Sequence, residues 1–427
     1  MPSSHRRRFL RACAAAVGLG TAGCLGSEVP AETTTETETR TETGTETTAR
    51  TQTTQPDSPV VWRQTVGSEI TTPPTSTGES LYVGTKSGSL ESLHTTDGSK
   101  QWSYDADTEL RGSPVHVGET VFVIVGKNDL FENHGVVALN AETGTVEWTF
   151  SPEAWWLEIL GVTEDVLYVG TEDDAIEEAG QTLYALSVAD GAERWSGEIG
   201  DPSGGLTTET IYVPTYGRLY AYDTATGEQR WTAAVEDYSY QTIVATDETV
   251  CFVADEGDTR GKLIALDSET GVETWSHDDW VATSTTLDSG TLYVGGQHIA
   301  AFDPESGEQQ WQADESGFVP RVPVQDDVLF AGGGTVRAFD TEGGTLSWTW
   351  SPNEGVEGVV PSVTIGDSLY VDSWRRDDPR NRFKFALDVT AGEQQWAFED
   401  GTQLTDLSAD STQTYVGSAK GTVYSLQ

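Results

Sequence analysis

Nine tryptophans recur along most of the chain, at Trp62, Trp102, Trp148, Trp195, Trp231, Trp275, Trp311, Trp348 and Trp396, with spacings of 36 to 48 residues. A period of this length, uneven in the way loop insertions make it, fits a four-stranded propeller blade of about 40–50 residues. Repetition on this scale overrides the expectation that a chain of 427 residues divides into two or three separate cores.

The unit behind the period is an apolar strand, a second strand, the turn Asp-x-x-Thr-Gly, and a tryptophan four residues after the glycine. Leu219-Tyr220-Ala221-Tyr222-Asp223-Thr224-Ala225-Thr226-Gly227 before Trp231, and the run from Leu263 to Gly271 before Trp275, are the best copies. Weaker copies carry Asp97 before Gly98, Asp190 before Gly191, and Asn140 in place of the turn's first aspartate. The alternation of apolar residues marks strands. The aspartate is suited to bonding amides inside the turn, and the glycine accepts positive φ. All nine tryptophans are therefore read as structural, supplying apolar area between neighbouring blades. A further strand precedes each copy, as in Leu81-Tyr82-Val83-Gly84, Leu167-Tyr168-Val169-Gly170 and Leu292-Tyr293-Val294-Gly295. Together these give four strands per repeat and an all-β, single β-propeller. The last repeat lacks its tryptophan strand, and the first tryptophan strand, Val60-Val61-Trp62, stands alone. Pairing the two closes a ring without an exposed sheet edge.

The charge balance is 24 basic against 69 acidic residues, a net of −45, and only six of the cations are lysine. At molar salt the Debye length shrinks to about 3 Å and screens such self-repulsion. The expected source is a halophilic archaeon; the alternative is an acidic secreted protein at low salt. No basic stripe exists to release counterions from a polyanion, so nucleic acid is not an expected partner. Of three cysteines, Cys13 and Cys24 lie near the start and Cys251 lies in the apolar run Val250-Cys251-Phe252-Val253. They support neither a disulfide framework nor a cysteine metal cluster, and Cys251 is read as a small buried hydrophobe.

The N-terminus reads as an address. Arg6, Arg7 and Arg8 precede Phe9-Leu10 and a mildly apolar stretch from Ala12 to Gly23, ending at Thr21-Ala22-Gly23-Cys24. The Arg-Arg-x-Phe-Leu core resembles a twin-arginine export signal, and Ala-Gly-Cys resembles a lipoprotein cleavage box in which Cys24 becomes lipidated. The apolar stretch is too short to span a bilayer, which needs about 20 residues. Loss of residues 1–23 removes four arginines and no acids, leaving a net of −49. Residues 24–58 hold a stalk in which threonine alternates with glutamate, a composition that cannot bury a core. The propeller is assigned to residues 59–427, and the protein to the outer face of the cytoplasmic membrane, held there by lipid alone.

The repeat resembles that of the pyrroloquinoline-quinone-dependent dehydrogenases, shared by the bacterial outer-membrane-assembly lipoprotein. That likeness covers residues 60–427 and implies the propeller fold, which in the family usually closes with about eight blades; the count here is nine. The dehydrogenases use an adjacent cysteine pair over the quinone and a calcium-binding Glu, Asn and Asp set. Adjacent cysteines do not occur here, so no catalytic or cofactor-binding residue carries over, and quinone with calcium remains an alternative without assigned ligands.

Long insertions fall at Gly126–Gly135, Gly170–Gly180 and Ser373–Arg382 between second and third strands, and at Ser151–Glu158 and Ser351–Gly358 between blades. All open on the face opposite the Thr-Gly turns. The sharpest anomaly is Trp374-Arg375-Arg376-Asp377-Asp378-Pro379-Arg380-Asn381-Arg382, which suits an anionic ligand or acidic partner; its alternative is an internal salt-bridge cluster with Asp377, Asp378 and neighbouring acidic loops. Trp155 and Trp156 are a second candidate, since adjacent strand residues face opposite ways; packing between blades is the alternative. The loop Glu172-Asp173-Asp174-Ala175-Ile176-Glu177-Glu178 has the carboxylates of a calcium site but not the glycine-centred order, and is read as solvated surface. Histidines 94, 116, 134, 277 and 298 are scattered, with no paired His motif and no Gly-x-Ser-x-Gly elbow, so neither a metal site nor a hydrolase is assigned. The reading is a non-catalytic protein-binding or scaffolding propeller whose partners are other membrane or cell-surface proteins. The alternative is a quinone-dependent redox enzyme with its cofactor on the axis.

Overall fold

The fold was taken from a computed structural model. It describes residues 58–427 apart from 127–133, 153, 155, 173–180, 200–204, 208, 216, 236–238, 256–260, 279–281, 318–323, 353–355 and 376–381. Among the described residues every regular element is a strand, and no helix is long and apolar enough to cross a membrane. Residues 56–427 form one compact unit.

The strands make nine four-stranded antiparallel sheets. Blades 1 to 8 are contiguous in sequence, running over 75–105, 110–150, 156–199, 205–234, 239–277, 282–313, 324–350 and 356–398. Blade 9 takes three strands from the C-terminal end (Ser408–Ala409, Thr414–Gly417, Thr422–Leu426) and its outermost strand from Val60–Thr65. That strand pairs antiparallel with Thr422–Leu426, Arg63 opposite Tyr424. Blade 9 also packs on blade 1: Trp62, Leu81, Val83, Leu93, Tyr415 and Val423 share one apolar cluster. The repeat count of nine therefore holds, and the two ends complete one sheet as the unmatched strands suggest.

The Thr-Gly turn does two jobs, only one of which its sequence announces. In blade 4, Asp223 Oδ1 accepts from the amides of Ala225 (3.0 Å) and Thr226 (2.9 Å) and from the Thr226 hydroxyl (3.0 Å), which closes the turn. Arg230 donates to Asp223 Oδ2 at 2.6 Å and is the main reason that carboxyl titrates at about 2. The glycine that follows adopts positive φ, 71° at Gly227 and 69° at Gly271. It also seats the tryptophan of the preceding blade. A Cβ at Gly271 would lie 2.5 Å from the Trp231 ring, and the same collision arises at Gly98, Gly144, Gly191, Gly227, Gly307, Gly344 and Gly392. The indole N–H of each of the eight tryptophans so seated, Trp62 to Trp348, donates to a carbonyl of that next turn, for example Trp231 to Ser268 at 2.8 Å and Trp311 to Thr341 at 2.7 Å. Tryptophan and glycine from successive repeats thus form one joint, apolar on the ring and hydrogen-bonded at its edge.

A second-strand aromatic backs most of these indoles, as with Tyr212 on Trp231 at 5.9 Å between ring centroids and Phe330 on Trp348 at 5.9 Å. Blade 5 places Cys251 there instead. Its thiol points to the Pro304 carbonyl at 3.9 Å, the place in the turn that Tyr168 reaches with its hydroxyl at Thr224 (3.1 Å) in blade 3. Cys251 is buried, and burial pushes its thiol up to about 12. It packs as the sequence suggests and is a poor nucleophile.

Candidate functional site

Strand direction sorts the connections between two faces. The turns between third and fourth strands, and the hairpins between first and second, lie on one face. Connections between second and third strands, and between blades, lie on the other, where the insertions fall. Of the residues expected to carry function, Trp374 and Arg375 end the second strand of blade 8 (Ser368–Arg375) and Arg382 begins the third (Arg382–Asp388). Arg376 and Arg380 lie outside the described residues, as do Trp155, residues 173–178 of the acidic loop, and the N-terminal Arg6, Arg7 and Cys24.

Arg382 forms an ion pair with Asp406, in the connection from blade 8 to blade 9. This is the internal pairing with a neighbouring acidic loop that the sequence left open. Trp374 lies opposite Gly358 of the first strand, and its indole occupies the space a Cβ at that glycine would need.

Beneath this surface lies a feature the sequence reading missed. Asp372 and Lys384 are cross-strand partners, and Lys384 Nζ bonds Asp372 Oδ1. Lys384 is 0% exposed and Asp372 is 7% exposed. The carboxylate's other oxygen accepts from Ser362 Oγ at 2.6 Å, on the first strand of the blade, and from the Leu407 amide at 3.3 Å, in the approach to blade 9. Burial pulls the Lys384 ammonium below the ordinary lysine range, and the facing Asp372 opposes that shift. A signal was present in the sequence: Leu369-Tyr370-Val371-Asp372 and Phe383-Lys384-Phe385-Ala386-Leu387 each set a charge where other repeats carry glycine or an aliphatic residue.

On the same face, Arg111, near the start of the first strand of blade 2 (Leu110–Val117), lies over the Trp156 ring at 5.0 Å. Trp156 opens the first strand of blade 3 and is 41% exposed. The pair is a cation–π contact of the kind found at partly open sites. Among the described residues no group of three or more His, Cys, Asp or Glu side chains is placed to hold a metal ion.

The nine sheets and the repeat joint define a nine-bladed β-propeller. Three overlapping stretches, 46–209, 179–297 and 295–427, match the family described as outer membrane protein assembly factor BamB, and the chain belongs to that family. It is 26% identical over 277 residues to the outer membrane protein assembly factor BamB of Burkholderia pseudomallei, covering 61% of this chain and 68% of that protein. Among solved structures it is similar to BamB from Moraxella catarrhalis (18% identity, TM-score 0.50, covering 86% of this chain and 99% of that one). It is also similar to quinohemoprotein alcohol dehydrogenase from Comamonas testosteroni (14% identity, TM-score 0.53, covering 86% and 76%). At these identities the structural likenesses concern the fold.

Proposed function

We propose that this protein is a lipid-anchored scaffold on the outer face of the cytoplasmic membrane, which docks other membrane or cell-surface proteins on the insertion-rich face of its propeller. The carrying observation is that face's asymmetry: its connections hold the long insertions, Trp374 with the Arg382–Asp406 pair, and the Arg111–Trp156 stack. Loops on a rigid scaffold are where binding commonly resides. Membership of a family described as an assembly factor supports a role in assembling other proteins. The archaeal host expected from the charge balance would have no bacterial outer membrane, so the partners there would be other surface proteins. Export through Arg6 and Arg7 and anchoring through Cys24 complete the reading.

Cross-linking in native membranes at molar salt, followed by affinity purification, should recover a discrete partner from the wild type. Substituting Trp156 and Trp374 together should lose it. Recovery of no partner, or of the same partner from both proteins, overturns the docking reading. Cys24→Ala should move the protein from the membrane to the soluble fraction. Titrating pyrroloquinoline quinone with calcium into the folded protein tests the redox alternative: saturable micromolar binding with a change in quinone absorbance would replace the scaffold reading.

A further inference from the structure

The Asp372–Lys384 pair has an internal control in the other eight blades. At the third-strand position of Lys384 they carry Leu90, Val136, Leu183, Leu219, Leu263, Ile299, Val336 and Val423, every one 0% exposed. Opposite, where Asp372 stands, the registers place Gly84, Ile124, Gly170, Pro214, Val253 and Gly417. The fold therefore accommodates an apolar pair at this place. A buried ion pair is commonly no more stable than such a pair, because desolvating two charges offsets their attraction. Blade 8 carries two charges where its siblings carry none.

We propose that Lys384 and Asp372 condense into an intramolecular isopeptide bond that staples the second and third strands of blade 8. The two groups are register partners in contact, excluded from water, and held by their own sheet. Such fixed geometry corresponds to effective molarities of roughly 10⁵ M or more. In a site of low polarity the proton passes from the ammonium to the carboxylate, giving a neutral amine and a neutral acid. The Lys384 Nζ lone pair then attacks Asp372 Cγ. Ser362 Oγ–H and the Leu407 N–H already donate to Oδ2, where negative charge develops, and act as an oxyanion pair. As the carbonyl re-forms, the Cγ–Oδ1 bond breaks. Oδ1 keeps the proton it received, takes one more from the attacking nitrogen, and leaves as water. One C–N bond forms, one C–O bond breaks, one water is released, and no oxidant or reductant is consumed. The product carries no buried charge, and its carbonyl oxygen retains both donors. The condensed state thus removes the desolvation cost that separates blade 8 from its siblings.

The arginine-rich insertion makes the test direct, because trypsin cleaves after Arg375, Arg376, Arg380 and Arg382 and so parts the two residues. A digest of the full-length protein, purified folded in molar salt, should yield segment 338–375 joined to segment 383–420, lighter than their sum by one water and uncut at Lys384. Lys384→Arg, which keeps the charge, and the double variant Asp372→Gly/Lys384→Leu, which restores the sibling pattern, should each yield separate segments. Separate segments from folded wild-type protein, with cleavage after Lys384, overturn the proposal. Loss of water confined to the linear 338–375 segment overturns it too, since that is cyclisation of Asp372 onto its own backbone.

Discussion

Blade 8 and blade 1 share strand order, turn and tryptophan joint, yet they differ where the second strand meets the third. Blade 1 sets Gly84 opposite Leu90, with Leu90 at 0% exposure. Blade 8 sets Asp372 opposite Lys384 in the same register. The aliphatic residue contributes the roughly 1.5–3 kcal/mol of a buried side chain and leaves no polar group to satisfy. Before condensation the charged pair needs each partner to offset the other, and Asp372 ties Ser362 and Leu407 into one network. A repeat protein can thus hold a specialised element in one blade while the others keep the simpler solution, because each blade packs chiefly on its neighbours.

The largest expected effect comes from breaking that comparison on one side only. Lys384→Leu removes both the amine that condenses with Asp372 and the cation that would offset it, leaving a buried unpaired carboxylate, and should cost about 3–5 kcal/mol in denaturant unfolding at molar salt. Adding Asp372→Gly should restore most of that loss; if the double variant is as unstable as the single one, blade 8 is not interchangeable with its siblings here.

The glycine seat sharpens the comparison between turns of the two kinds. Gly271→Ala forces a Cβ onto Trp231 at a φ of 69° and should cost about 2–4 kcal/mol. Gly290→Ala, at a φ of 79° with no neighbour within 4 Å, should cost about 1 kcal/mol, the backbone share alone. Equal thermal shifts for the two would remove the seat as an explanation.

Arg111→Ala removes one cation–π contact at a partly exposed site and should lower stability by about 0.5–1 kcal/mol in denaturant titration. The smallest effect is the acid limb. Asp223 titrates at about 2 when folded and near 3.9 when unfolded, so its contribution is complete above about pH 4 and is lost as pH falls toward 2. Arg230→Gln should lower stability by under about 1 kcal/mol above about pH 4, as expected for an exposed pair, and its difference from the wild type should vanish as pH falls to 2 and below. A loss of the same size at neutral pH and below pH 2 would place the effect elsewhere.

The strand pattern, the turn and the nine-fold count were legible because each is local and repeated, so that period and turn chemistry reinforce one another from copy to copy. The pairing of Val60–Thr65 with Thr422–Leu426 was legible for a related reason, since each end lacks the strand that the other supplies. The arginine-rich insertion was visible as composition, yet the partner of Arg382 was not: Asp406 lies 24 residues on, in another connection.

What only the tertiary structure decided are contacts between repeats and across strands. Trp231 and Gly271 each have a reason within their own repeat, and nothing local says that one sits on the other. Cys251 reads as a small apolar residue, and only its alignment across blades shows it standing in a tyrosine's place. Asp372 and Lys384 read as two charges 12 residues apart in a chain rich in acid. Their meaning depends on register, because a one-residue slip of either strand would turn its side chain to the opposite face of the sheet from its partner.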